Sequence, residues 1–374
     1  MRAPTLGGID CDVHPAPPGM AALLPYLDDY WREQVTVRGI DGLDLMCFPS
    51  GAPAHGRADW RPADGGKPGT DLATLRTHVL DGFGTQTAIL NCLYGIEGLG
   101  NEFLAAALAR ALNDWIAAEW LDREKRLRAS IIIPIQNPEL AVEEIERRAG
   151  DPRFVQVMVL AMGDMPLGKR LLWPIWAAAE RHGLPLAIHA GTTARHATTS
   201  NGWPSYHLED YVTTSLAFQA QLLSLVSEGV FHKYPRLTVV LLESGFTWLP
   251  AFLWRANKTW RAMRAEVPWV DRPPADIIRA HVRVTLQPAD APPEPRDLGH
   301  VLDQLGADQM LLFSTDYPHW QFEGRDAFPP GFPAALRKRV LVDNARATYP
   351  RLQATVGKEM ARDESERTQA ETTA

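Results

Sequence analysis

Short apolar runs alternate with longer amphipathic stretches along most of this chain. Eight runs stand out: Gly8–His14 (GIDCDVH), Thr87–Cys92 (TAILNC), Ala129–Gln136 (ASIIIPIQ), Phe154–Leu160 (FVQVMVL), Leu184–Ala190 (LPLAIHA), Leu237–Glu243 (LTVVLLE), His281–Gln287 (HVRVTLQ) and Met310–Asp316 (MLLFSTD). Runs of this length, apolar on both alternating faces, fit strands buried on both sides of a parallel sheet. The stretches between them carry apolar residues at helical spacing. They predict helices over Glu102–Leu121, Glu139–Ala149, Leu171–His182, Val212–Gly229, Leu249–Ala265, Leu298–Leu305 and Ala334–Thr348. Pro138 opens the second of these, where a missing N–H costs nothing. Eight strands alternating with helices predict a distorted α/β barrel, (β/α)8 or TIM, with a doubly wound open sheet as the alternative.

Two segments stand outside the alternation. Pro15–Thr70 is long and rich in Pro, Gly and Asp, so residues 15–70 are expected to be an insertion after the first strand that lids a site or holds small elements of its own. Thr355–Ala374 is polar and charged, which predicts a loose tail or a frayed helix. The expected organisation is one barrel unit over residues 1–353 followed by a tail over 354–374.

Composition narrows the class of partner. The 374 residues carry 38 Lys+Arg against 45 Asp+Glu, a formal net charge of −7, with no long basic run. That balance argues against nucleic acid, whose affinity comes largely from neutralised phosphates. No run of about 18 apolar residues is present to span a membrane, and the N-terminal MRAPTLGG lacks the apolar stretch of a signal peptide. Three cysteines, Cys11, Cys47 and Cys92, form no dense disulfide framework and no CxxC spacing. The expectation is a soluble cytoplasmic protein that acts on a small molecule.

The informative residues stand where the apolar runs end. Asp12 and His14 close the first, Asn91 the second, Gln136 the third, His189 the fifth, Glu243 the sixth, Gln287 the seventh and Asp316 the eighth. An unpaired polar side chain in a buried strand costs about 1–3 kcal/mol. Barrel enzymes collect their chemistry at this C-terminal face, so one axis would gather all of these residues. Asp12 and His14 are two apart and therefore share a face of their strand. With His189 and Asp316 they make a mixed nitrogen and oxygen set suited to a divalent ion such as Zn²⁺ or Mn²⁺. A lone His reads more simply as a hydrogen-bonded strand end; four such residues together favour a metal.

At these residues the sequence resembles the amidohydrolase superfamily. It is most similar to the amidohydrolase-related group that includes aminocarboxymuconate semialdehyde decarboxylase and the resorcylate-type decarboxylases. The resemblance runs from about Gly7 to Tyr349. It rests on IDCDVHP (Ile9–Pro15), LAIHAG (Leu186–Gly191), YPRLTVVLLESG (Tyr234–Gly245) and, most specifically, LLFSTDYPHW (Leu311–Trp320). It implies a barrel with one divalent metal, Zn²⁺ or Mn²⁺, and often a homodimer. Residue by residue, the first-strand metal pair falls on Asp12 and His14, the fifth-strand His on His189 and the eighth-strand Asp on Asp316. The fourth strand (FVQVMVL) holds no Lys, so the carbamylated Lys of two-metal relatives has no counterpart. At strand six the decarboxylases of the group place a His that serves as acid/base, whereas this chain has Glu243.

Three functions stay open on the sequence. The first expectation is a metal-dependent hydrolase of a small cyclic or aromatic amide, lactone or acid, with Asp316 as general base towards a metal-activated water. The alternative is a non-oxidative decarboxylase of an aromatic or muconate-type acid, with a nearby acid protonating the carbon. Glu243 can shuttle that proton where burial raises its pKa. The third is a barrel that binds a ligand without turnover. Candidate helpers are His207 and Glu209, expected on a loop leaving strand five, and His319. Trp203, Tyr206, Trp248 and Trp320 are candidates for an aromatic wall. His55, His78, His182, His196, His232 and His300 have no comparable placement, and His281 is expected at the far end of the barrel in a structural role.

Overall fold

The structure, a computed structural model, describes residues 6–43, 56–62, 65–191, 197–322 and 327–352. Cys47, His55, His196 and the tail over 354–374 lie outside the described residues. Eight parallel strands follow one another around a single sheet: β1 (Ile9–Val13), β2 (Thr87–Leu90), β3 (Leu127–Ile132), β4 (Phe154–Leu160), β5 (Leu186–His189), β6 (Val239–Leu242), β7 (Val282–Thr285) and β8 (Leu311–Leu312). Cys11 donates its backbone N–H to Phe313 O, Asp316 to Asp12 O and His14 to Tyr317 O. With the bridge between Val13 and Tyr317 these bonds join the last strand back to the first. The fold is a (β/α)8 barrel.

The strands form where the sequence is apolar on both faces because helices cover the outside and the barrel fills its own interior. All seven residues of β4 are buried, and Ile131, Val157, Ile188 and Leu241 are fully so. Two of the helices start at an asparagine cap. Asn101 accepts from Leu104 N at 3.1 Å and opens Glu102–Ile116, and Asn137 accepts from Glu139 and Leu140 N at 3.1 Å and opens Pro138–Arg148.

Several boundaries differ from the sequence pattern, among them the end of β8, which stops at Leu312 ahead of Asp316; three have a plain physical reason. β3 begins two residues early, at Leu127, because Arg128 is accommodated inside the strand by donating to Lys125 O and Leu127 O. It also ends early, at Ile132, just ahead of Pro134, which has no N–H to offer a ladder. Gln136 is therefore not a strand end; it donates to Ile96 O and Leu99 O, both at 3.0 Å, and holds the loop after β2. The helix after β5 spans His207–Ser227, five residues longer at its start than expected. Its first turn is stabilised by Glu209, which accepts from Ser205 N at 3.0 Å and Tyr206 N at 2.9 Å. His207 and Glu209 thus belong to a helix and not to a loop. Among the described residues no helix is long and apolar enough to cross a membrane.

Candidate metal centre and active site

At the C-terminal mouth of the barrel Asp12, His14, His189, Glu243 and Asp316 converge, all buried. Asp12, His14 and His189 offer ligand atoms within 4.8 Å of one another, and His14, Glu243, Asp316 and His319 form a second group that overlaps the first. His14 Nε2 lies 3.2 Å from Asp12 Oδ1 and 2.9 Å from Asp316 Oδ1. His189 Nε2 lies 3.5 Å from Asp12 Oδ1 and 3.7 Å from Glu243 Oε2. His14 is common to both groups, so residues at the ends of β1, β5, β6 and β8 lie side by side at the mouth.

Each ring is oriented from behind. His14 Nδ1 donates to Asn91 O at 2.8 Å and His189 Nδ1 to Ala190 O at 2.6 Å. A carbonyl accepts only, so the Nδ1 proton is fixed and Nε2 faces the centre, the usual arrangement behind a metal-binding imidazole. Asn91 serves twice, because its side-chain amide also donates to Asp12 Oδ1 at 2.8 Å. Gln156, in the middle of β4, donates to Asn91 Oδ1 at 3.0 Å, and Tyr349 donates to Gln156 Oε1 at 3.0 Å. The polar residue inside FVQVMVL is the one sequence signal for this support.

The charge balance invites a cation. Burial alone would drive His14 towards its neutral form, but Asp12, Asp316 and Glu243 outweigh it and raise its pKa to about 10. The same contest, won chiefly by Asp12, raises His189. Asp12 Oδ2, Asp316 Oδ2 and His189 Nε2 are buried without a hydrogen-bond partner. Orphaned atoms of this kind cost free energy unless something binds them. A divalent ion fits that need, and the donor set is one that such ions accept.

The two carboxylates at the mouth are driven apart. Burial works to raise Asp316, but His319 and His14 outweigh it and hold it near 2. Glu243 goes the other way, raised by burial and then by the neighbouring Asp316 charge. Among the described residues Glu243 and Asp316 are also the two non-glycine residues with positive φ, 55° and 56°. Backbone in this region costs about 1–3 kcal/mol and persists where surrounding structure over-determines it, typically at functional sites. Asp10 supplies part of that hold, accepting from Thr315 N at 2.9 Å and Thr315 Oγ1 at 2.6 Å next to Asp316.

The helpers sort by distance. His319 donates from Nδ1 towards Asp316 Oδ1 at 2.7 Å and stacks on His14 with ring centroids 4.5 Å apart. His207 stands further back, its ring 5.9 Å from that of Tyr211. Glu209 is spent on the helix start and is corrected to a capping role. Trp248 is tied to the turn after β6 by bonds to Ser244 O and Gly245 O, while Trp203 and Tyr206 are exposed. The ring that reaches the site is instead Tyr211, whose hydroxyl donates to Glu243 Oε1 at 2.8 Å, with Trp320 at 6.4 Å from it. In the sequence Tyr211 is only one aromatic among many. His281 lies at the opposite end, as expected, donating from Nδ1 to Leu237 O at 2.9 Å.

Fold and site together define a barrel protein with a histidine–carboxylate cluster at its catalytic mouth. A family model described as amidohydrolase matches residues 9–351. The chain belongs to that family and is an enzyme of the amidohydrolase superfamily. It is 26% identical over 301 residues to γ-resorcylate decarboxylase of Rhizobium sp. (strain MTP-10005), covering 75% of this chain and 87% of that one. The enzyme of the same name from Rhodococcus jostii (strain RHA1) is 27% identical over 268 residues, covering 66% and 78%. Among solved structures, 5-carboxyvanillate decarboxylase from Sphingomonas paucimobilis superposes with a TM-score of 0.66 at 20% identity, covering 92% and 99%. A dihydroxybenzoic acid decarboxylase from Polaromonas sp. JS666, with bound manganese and the inhibitor 2-nitroresorcinol, gives 0.65 at 21%, covering 91% and 96%. These curated relatives are decarboxylases, so the order of reactions expected from the sequence, hydrolysis before decarboxylation, loses its support.

Proposed function

We propose that this protein is a metal-dependent, non-oxidative decarboxylase of a small aromatic acid that carries a hydroxyl or keto oxygen beside its carboxylate. The observation that carries the reading is a pair of overlapping clusters at the mouth, Asp12 with His14 and His189, and His14 with Glu243, Asp316 and His319, in which Asp12 Oδ2, Asp316 Oδ2 and His189 Nε2 are buried without a hydrogen-bond partner. Asp12, His14, His189 and Asp316 would hold the ion. Manganese is the first ion to supply, because a relative's structure binds it, and zinc is the competitor. When bound, the ion supplies positive charge for the substrate's oxygens.

The remaining work falls to side chains. Asp316, held near 2, keeps its charge and serves as a ligand rather than a proton donor. Glu243, raised by burial, is the acid. As the bond between ring carbon and carboxylate breaks and CO₂ leaves, the electron pair stays on the carbon and takes the Glu243 proton. Two carboxylates with opposed pKa values divide acid and ligand duties between them. His319, bonded to Asp316 and stacked on His14, is placed to meet a substrate oxygen; His207 supports the aromatic side of the site.

We assign the activity to the unit over residues 1–353, with 15–70 as an insertion above the site. Arg57, on that insertion, donates its backbone N–H to Pro318 O and its guanidinium to Phe322 O, both at 2.9 Å, on either side of His319. The test is CO₂ release by manganese-loaded protein over a panel of hydroxylated benzoates, run beside a panel of aromatic amides and lactones. Amine or alcohol release without CO₂ from any acid would overturn the reading in favour of hydrolysis.

A further inference from the structure

The Glu243 carboxylate is gripped on one oxygen and open on the other. Tyr211, from the helix after β5, donates its hydroxyl to Oε1 at 2.8 Å. Gln321, beyond the end of β8, donates its amide to the same Oε1 at 2.9 Å and also reaches the Tyr211 hydroxyl. The amide assignment is consistent, because the reverse orientation would set the Gln321 carbonyl against a carboxylate. The backbone is held from a third side, where Glu243 N donates to Thr285 Oγ1 of β7 at 3.1 Å. Oε2 receives none of these bonds and faces His189 at 3.7 Å.

Three elements that come from different parts of the chain thus fix one strained residue. Its φ of 55° is affordable only with such support. A free carboxylate on a two-bond stem would sample several rotamers. Two donors converging on a single oxygen select one of them and turn the second oxygen inward. Burial, and then the Glu243 charge, raise the Tyr211 phenol, so it stays a donor at any working pH.

We infer that Tyr211 and Gln321 are positioning residues that clamp Glu243 Oε1 so that Oε2 alone is presented to the reacting carbon. This rests on the reading of Glu243 as the acid in decarboxylation, and it names the atom that works. Neither residue needs to touch the substrate. A misplacement of about 1 Å in a catalytic group costs on the order of 10²-fold in rate, which sets the scale of the effect.

The experiment uses manganese-loaded full-length protein with Tyr211→Phe, Gln321→Ala and the double variant. Tyr211→Phe keeps the ring and deletes only the donor. The expected result is a fall in kcat on the order of 10–100-fold with KM and bound manganese per chain unchanged. The double variant should lose less than the product of the single losses, because both residues act on one oxygen. The second readout needs no turnover: crystal structures of the variants should show the Glu243 carboxylate rotated and Oε2 withdrawn from His189. An unmoved carboxylate in both variants, or a rise in KM with kcat intact, would overturn the clamp. If wild-type protein releases no CO₂ from any acid, the decarboxylase reading fails, while the position of Glu243 in the variants still decides the clamp. A variant that fails to bind manganese would show a general structural role and also overturn the inference.

Discussion

His189 and His281 are anchored alike and end up as opposites. Both are buried, and each donates Nδ1 to a backbone carbonyl, Ala190 O for the first and Leu237 O for the second. At the C-terminal mouth the second nitrogen of His189 meets Asp12 and Glu243, and its pKa is raised. At the other end the ring of His281 stacks on Phe231 with centroids 4.6 Å apart, and burial lowers its pKa. Arg272 and Arg283 push in the same direction. The same residue with the same local anchor becomes a candidate ligand where carboxylates converge and a packing element where they do not. In a barrel this contrast follows the strand direction, with chemistry at the carboxyl ends and stability at the amino ends.

The sharpest way to break the comparison is to delete each ring. His189→Ala should empty the site, with manganese per chain and CO₂ release both falling to background in a dialysed sample. His281→Ala should retain metal and turnover while losing on the order of 1–3 kcal/mol in a denaturant titration, the scale of a lost hydrogen bond plus packing. Retention of stoichiometric metal by the first variant would remove His189 from the ligand set.

Next in size is Glu243→Gln, which separates acid from ligand. Loss of a positioned general acid costs about 10²–10⁴-fold. Bound manganese should stay, whereas Asp316→Asn should lose both metal and rate. If the two variants behave alike, the division of labour between the carboxylates is wrong.

The pH dependence has opposite signs at the two ends. In metal-free protein His14 has a folded pKa of about 10, above its ordinary 6.5, so its stabilisation is complete below 6.5 and fades as pH rises through about 10. His281 is lowered below 6.5, so its contribution is present above 6.5 and fades as pH falls through its folded pKa. Metal binding needs the neutral imidazole of His14, and manganese affinity should therefore rise with pH between 6.5 and 10, about tenfold per unit for one displaced proton. Calorimetry in buffers of different ionisation enthalpy would count those protons; zero release would contradict the ligand role of His14.

The smallest expected effect is Glu209→Ala. It removes a helix cap, so about 0.5–2 kcal/mol of stability should go with little change in kcat. A large fall in kcat without loss of stability would return Glu209 to the chemistry.

Much of the architecture could be read from apolar runs because a parallel barrel strand is buried on both faces, which leaves a local signature in β4 and β5 alike. The ligand candidates could be read because a charged group is costly at the end of such a run, so Asp12, His189 and Asp316 stand out against their neighbours. Arg128 misled the strand boundary, since its charge is satisfied by nearby carbonyls and not by solvent. The clamp on Glu243 had no signature at all. Tyr211 and Gln321 are 110 residues apart and ordinary in their own contexts.

By itself, then, the order of residues determined the alternation of strands and helices, the lack of a long basic or long apolar run, and which polar groups would need a partner. Only the closed barrel decided what those partners are. Hydrophobic patterning acts over a few residues and is written locally, whereas the pairing of Asp12 with His189, the opposed titration of Glu243 and Asp316, and the support from Asn91 and Gln156 depend on distances that arise when the eighth strand meets the first.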